Sequence, residues 1–239
     1  MSVNIIPKKT TPFFILITTY LVILAGALIV HGYKGSFFLF NSGKYDWLDW
    51  PMFIITHFGD SMILGSLLSI LLVWKRPHAV INMIIIVVIT GLLGQALKTL
   101  FFEGWDRPLR VFHESPLVHT MPNYRLFHNS FPSGHSITAM AAFTSLVWSI
   151  QPKRTTQILI AFLAIIVSYS RIYLGVHFPA DVLTGSLIGV LASLLLLPIV
   201  NKLADKVKYT RGFKTGIAFL ALGLLAAGTW LIRMYFPLI

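Results

Sequence analysis

The sequence predicts an all-α fold, a polytopic transmembrane helical bundle with six core spans and a seventh near the C-terminus. Two observations carry that prediction. Of the 239 residues, 56% are hydrophobic and only 11% are charged, whereas soluble domains average about 25% charged residues. Apolar runs of about 20 residues, each long enough to cross a bilayer as a helix, also recur along the chain. With no cysteine, a disulfide framework, a zinc–thiolate site and a cysteine-phosphatase mechanism are excluded. The net charge of +11 would suit a nucleic-acid binder. The basic residues are scattered through short loops, however, so membrane topology explains them and nucleic acid is not expected as a partner.

The first run covers residues 12–30 and follows Lys8 and Lys9. Ala25-Gly26-Ala27 has the small-residue pattern of a cleavage site, but the apolar stretch continues past it and reads as an anchor. A polar segment, 32–50, has turn residues at Asn41-Ser42-Gly43, and its Trp47 and Trp50 suit a membrane interface. The second run, 52–74, ends at Lys75-Arg76-Pro77-His78, and the third, 79–97, closes on Lys98. Residues 99–130 form the longest polar interruption, rich in His, Arg, Pro and aromatics. The fourth, fifth and sixth runs cover 133–148, 156–169 and 179–200. A basic loop with Lys202, Lys206, Lys208, Arg211 and Lys214 precedes the seventh, 215–232. Trp74, Trp105, Trp148 and Trp230 stand near run ends as interfacial anchors. No repeat or second-domain boundary is visible, so residues 1–239 read as one domain with its motifs between 98 and 181.

Orientation follows from the Lys and Arg residues. With the N-terminus in the cytoplasm, the inside segments hold Lys8, Lys9, Lys75, Arg76, Lys153, Arg154 and the five of the last loop, eleven of the nineteen. Lys98, Arg107, His135, Arg171, His177 and Asp181 then all fall on the outer side.

Those residues form three clusters with chemistry in them. The stretch Ser170-Arg171 through His177 to Asp181 puts ionisable groups beside apolar runs, an expensive placement that defaults to function. His177 and Asp181 are four apart, so in a helical turn the carboxylate can fix the imidazole tautomer and free the other nitrogen to attack. Arg171 can fork onto two phosphate oxygens. The plain alternative is an ion pair fastening two helices. Pro132-Ser133-Gly134-His135 opens the fourth run, where Ser133 is a good N-cap, Gly134 lets a ligand approach the backbone, and His135 can give or take a proton. Free N–H groups at a helix start attract anions; alone, the motif could be a mere loop-to-helix transition. Lys98 and Asp106-Arg107-Pro108 form the third cluster. Together they hold fixed positive charge, a nucleophile and an acid, the requirements of phosphoryl transfer. No carboxylate cluster suggests a magnesium site.

These motifs make the chain similar to the type 2 phosphatidic acid phosphatase (PAP2) superfamily of membrane lipid phosphatases. The family pattern is Lys-x6-Arg-Pro, Pro-Ser-Gly-His, then Ser-Arg-x5-His-x3-Asp. The second part is matched at Pro132 to His135 and the third from Ser170 to Asp181. The first is matched at Arg107-Pro108, but eight residues separate Lys98 from Arg107 and Leu100 stands where the pattern puts its lysine. Gly104 could absorb the extra length. The resemblance implies a PAP2-like bundle in which His177 forms a phosphohistidine, Asp181 orients it, and His135 protonates the leaving group and activates water. It implies phosphate binding by Lys98, Arg107, Ser133, Gly134 and Arg171, with no metal and no cofactor. For bacterial relatives it implies a site on the extracytoplasmic face of the cytoplasmic (inner) membrane. The implied substrates are undecaprenyl diphosphate, lipid A phosphates, phosphatidylglycerol phosphate or phosphatidic acid, and the aromatic, basic outer loop tilts the reading slightly to lipid A or undecaprenyl diphosphate.

Other residues read more plainly. His57 and Asp60 could line the substrate cleft, but a polar contact between helices is the simpler expectation. His113, His119 and His128 match no usual metal spacing, and Arg110 and Arg125 are candidates for contacting a second phosphate or sugar. Two further functions compete with hydrolysis: transfer of the same phosphoryl group to a lipid acceptor, and transport of an anion through a cationic pocket.

Overall fold

A computed structural model of the chain describes residues 8–43, 45–121 and 124–236, and all regular structure among them is helical. The α-helices are α1 (Thr11–Asn41), α2 (Asp46–Thr56), α3 (Ser61–Leu72), α4 (Pro77–Leu100), α5 (Pro108–Val111), α6 (Gly134–Ile150), α7 (Arg154–Tyr173), α8 (Pro179–Ala204) and α9 (Arg211–Tyr235). Prolines open α4, α5 and α8, where the missing N–H would have had no helical partner and the fixed φ is already helical.

Helices α1, α4, α7, α8 and α9 are long and apolar enough to cross a membrane, and α2 with α3 passes the same test as a pair bent by 77°. Helix α6, at 17 residues, is about 25 Å long. It is the centre of the bundle, with residues 136–147 all buried. Helices α4 and α8 flank it closely: a Cβ on Gly189 would lie 2.6 Å from the backbone oxygen of Ile137.

Two expected elements differ from the sequence reading. The second run is not one continuous helix, because a 3₁₀ turn at His57–Gly59 and an extended Asp60 interrupt it. Asp60 caps α3, its Oδ1 accepting the N–H groups of Met62 at 2.7 Å and Ile63 at 3.3 Å. A carboxylate beside a new helix start satisfies orphan donors that a straight helix would not have exposed. Helix α1, in turn, does not end near residue 30. It breaks at Gly32 (φ 67°, ψ −179°) and resumes to Asn41, so most of the expected polar segment is helical.

The two ends of the bundle are chemically distinct. At one end, Gln157 Nε2 donates to the backbone oxygens of Lys9 (2.6 Å) and Pro152 (2.7 Å), and His78 meets Asp205 at 2.9 Å. Asn82 joins α4 to Ser149 of α6 and Asn201 of α8 there. Lys9, Lys75, Arg76, Lys153 and Arg154 belong to these helix ends. The motif residues are at the other.

Because α6 and α8 touch backbone to backbone, Gly189→Leu must push them apart. Overpacking of this kind costs about 1–3 kcal/mol, and a lowered midpoint of thermal unfolding in detergent is the expected result.

Candidate active site

Three segments meet at that second end, and backbone hydrogen bonds set each one. After α4 the chain turns at Gly104 (φ 80°) and residues 105–107 run beside 127–130. Arg107 N–H donates to Phe127 O at 2.8 Å and Ser130 N–H to Trp105 O at 2.9 Å. This pairing, rather than the count of residues from Lys98, places the arginine. Lys98 reaches the same spot from the last turn of α4: its Nζ donates to Asn129 O at 3.0 Å, the carbonyl that Arg107 also meets at 3.3 Å.

The second segment is the start of α6. Ser133 is the N-cap, its Oγ accepting from Ser136 N–H (3.5 Å) and Ser136 Oγ (3.0 Å). Ser133 N–H donates to the backbone oxygen of Asp181 at 3.0 Å, which joins this motif directly to the third. The helix start therefore leaves the N–H groups of Gly134 and His135 as its orphan donors. Gly59 presses on His135 from the broken span, where a Cβ would sit 2.6 Å from His135 Cβ.

The third segment links α7 to α8. The N–H groups of Val176 and His177 both donate to Arg171 O at 3.1 Å, so the arginine and histidine share one turn. His177 is 1% exposed, and its Nδ1 is 3.2 Å from Asp181 Oδ2. That carboxylate also accepts from Ser130 Oγ (2.5 Å), Phe178 N–H (3.0 Å) and Tyr33 OH (3.4 Å). On the other side, Arg107 Nη1 is 3.3 Å from His177 Nε2. Asp181 can only accept and Arg107 can only donate, so both neighbours demand the same tautomer, with the proton on Nδ1 and a lone pair on Nε2. Burial, followed by the charges of Arg107 and Arg171, pushes the His177 pKa well below the ordinary histidine range, which keeps the ring neutral.

A cavity of about 290 Å³ lies against these groups, lined by His57, Lys98, Arg107, His135, Arg171 and His177 among others. Among the described residues, the hydrogen-bond partners of the three cations are neutral. Lys98 has Asn129 O, Arg107 has the oxygens of His128, Val176 and Asn129, and Arg171 Nη1 donates to Thr56 Oγ1 (2.6 Å) and Tyr124 OH (2.5 Å). Burial and Arg171 lower the Arg107 pKa to about 10, so it stays charged near neutrality. Asp60 also borders the cavity but is engaged in capping α3. Positive charge held in a poorly solvated space without neutralising partners favours an anion there.

The structure brings Lys98, Arg107, Gly134, His135, Arg171 and His177 to one cavity, with Asp181 behind His177 and Ser133 in the cap. Sequence reading missed Ser130, Tyr33, Thr56 and Tyr124, generic polar residues whose partners are 47 or more positions away in the chain. His119 pairs with Asp49 at 2.8 Å and His128 with Asp106 at 3.0 Å. Arg110 and Arg125, expected near a second phosphate or sugar, form exposed ion pairs with Asp106 and Glu114 outside the cavity lining.

A model of the PAP2 superfamily matches residues 79–205. The chain is 30% identical to the undecaprenyl-diphosphatase of Sulfolobus acidocaldarius over 78% of its own length and 87% of that protein's. It is 31% identical to phosphatidylglycerophosphatase B of Bacillus subtilis, over 70% and 81% of the two chains. The crystal structure of Aquifex aeolicus LpxE superposes with a TM-score of 0.59 at 31% identity, covering 68% of this chain and 92% of that one.

Removing one cation tests the anion site. Arg107→Ala or Arg171→Ala should weaken equilibrium binding of inorganic phosphate to the detergent-solubilised protein by about ten- to a hundredfold, given about 1.5–3 kcal/mol for a hydrogen bond to a charged group.

Proposed function

From the premise that this chain belongs to the PAP2 superfamily and is a membrane lipid phosphatase of that type, we propose that it cleaves lipid phosphates through a phosphohistidine on His177. The observation that carries this reading is the double hold on one imidazole. Asp181 accepts a hydrogen bond from Nδ1–H and Arg107 faces Nε2, so the tautomer with its lone pair on Nε2 is set before substrate arrives.

In the first step Nε2 attacks phosphorus, the bond from phosphorus to the leaving oxygen breaks, and His135, charged once the anionic phosphate offsets the surrounding cations, supplies the proton that oxygen needs. The imidazolium that forms is stabilised by Asp181 at Nδ1. In the second step His135 takes a proton from water, hydroxide attacks phosphorus, and the P–N bond breaks to return neutral His177. Lys98, Arg107 and Arg171, with the N–H groups at the start of α6, stabilise the charge that builds on the phosphoryl oxygens. Ser133 contributes by fixing that helix start. The protein supplies this positive charge itself, so the reading includes independence from added metal.

The reading also places the site on the extracytoplasmic face of the cytoplasmic membrane. The support is the gathering of Lys9, Lys75, Arg76, Lys153 and Arg154 at the opposite end, the side the positive-inside rule assigns to the cytoplasm. The substrates named for relatives, undecaprenyl diphosphate and phosphatidylglycerol phosphate among them, are the first to assay.

Phosphate release from such lipids by purified protein should persist in EDTA and be abolished in His177→Ala. Labelled substrate should leave an acid-labile phosphoryl group on wild-type protein. Strict metal dependence, or wild-type rates in His177→Ala, would refute the mechanism. Ser130→Ala removes a donor to the Asp181 carboxylate, and kcat should fall by about tenfold or more with KM little changed.

A further inference from the structure

The cavity around His177 has an apolar neighbour that the phosphoryl chemistry does not use. A groove of about 480 Å³ runs between α2, the 57–58 turn and the last two turns of α9. Trp50, Phe53, Ile54 and Ile63 line one side, and Thr229, Ile232, Arg233 and Phe236 the other. His57, Ile232 and Phe236 border both the groove and the phosphoryl cavity, so the two spaces adjoin at these side chains. Helix α9 lies beyond the residues matched by the family model.

The junction is built, not incidental. The Phe236 ring packs tilted against Tyr124, with centroids 4.6 Å apart, and lies 6.5 Å from the His57 ring. Tyr124 OH in turn receives the Arg171 hydrogen bond. Helix α9 is seated on α3 at close range, since a Cβ on Gly228 would lie 3.0 Å from Ile63 Cδ1. Between the two spaces, His57 Nε2 is buried and has no hydrogen-bond partner among the described residues. A ligand passing from one space to the other would put its polar-to-apolar transition beside that nitrogen. The far end of the groove reaches Trp50 and Ile54, which are 49% and 57% exposed, so it opens onto the apolar outside of the bundle.

We propose that this groove receives a hydrocarbon chain of the lipid phosphate, which makes α9 a wall of the substrate site. The inference rests on the reading that the substrate is a lipid phosphate. Since the apolar lining begins at residues that also border the phosphoryl cavity, the chain must start within a few bonds of the phosphorus. A prenyl phosphate or diphosphate, or a phosphatidate, meets that condition. A phosphate carried on a sugar that separates it from the acyl chains does not. Moving a chain from bilayer to groove gains little from the hydrophobic effect, because both are apolar. The groove therefore acts by shape, selecting chains and holding the phosphate in register for attack.

A long-chain alkyl phosphonate carrying a diazirine in mid-chain tests this on the wild-type protein. After irradiation, mass spectrometry should find label on residues 229–236 and 50–58. Label confined to the crevice between α3, α4 and α6 would overturn the proposal; that crevice is lined by Gly59, Ser61, Gly91 and Gln95 among others. Thr229→Trp and Ile54→Trp, which fill the groove from opposite walls, should each lower the ratio of kcat/KM for a long-chain lipid phosphate to that for a short-chain one by about tenfold. An unchanged ratio in both would also overturn it. Label in the groove without phosphate release from any lipid would refute the catalytic reading alone, and phosphate release with label elsewhere would refute the groove alone.

Discussion

Everything at the working end of this bundle depends on one buried carboxylate. Asp181 is 0% exposed, and a charge so far from water survives only where protein donors replace its solvation. Four of them do: His177 Nδ1, Ser130 Oγ, Phe178 N–H and Tyr33 OH. The same residue's backbone oxygen accepts from Ser133. Through its side chain and main chain Asp181 thus ties together α1, the loop before α6, the start of α6 and the turn before α8. Each tie also orients a neighbour. The carboxylate sets the His177 tautomer, and the carbonyl sets the α6 N-terminus against it.

Around that node the electrostatics are deliberately unbalanced. Lys98, Arg107 and Arg171 are held by carbonyls and hydroxyls, which fix their positions without cancelling their charge. A carboxylate partner would have made each cheaper to bury and less useful to an incoming anion. The cost is carried by the packing behind them, where α6 is buried along residues 136–147 and leaves the cations little freedom to turn away.

Much of this was legible in the chain. The apolar runs announced the spans, and the motif residues converge as their order suggested, because helix ends alternate between the two faces. What stayed hidden had physical causes. The break at His57–Gly59 sits in a run that reads as one span by length, although Gly59-Asp60-Ser61 interrupts its apolar residues. The second half of α1 was obscured by polar residues that turn out to face protein: Asn41 donates to the oxygens of His119, Ile172 and Tyr173 and accepts from His119 N–H. Ser130, Thr56 and Tyr124 carry no local pattern at all. They matter only through partners that folding brings to them.

The shared carbonyl of Asn129 has a consequence for how such sites diversify. Lys98 is delivered by a helix end and Arg107 by a strand-like pairing with residues 127–130, and both meet at one oxygen. Nothing in that arrangement measures the length of chain between them. The connecting loop is thus free to gain or lose residues by mutation while the cation pair stays intact. A search that demands a set interval between lysine and arginine would pass over chains like this one, whereas a search for a lysine in the last turn of the helix would retain them.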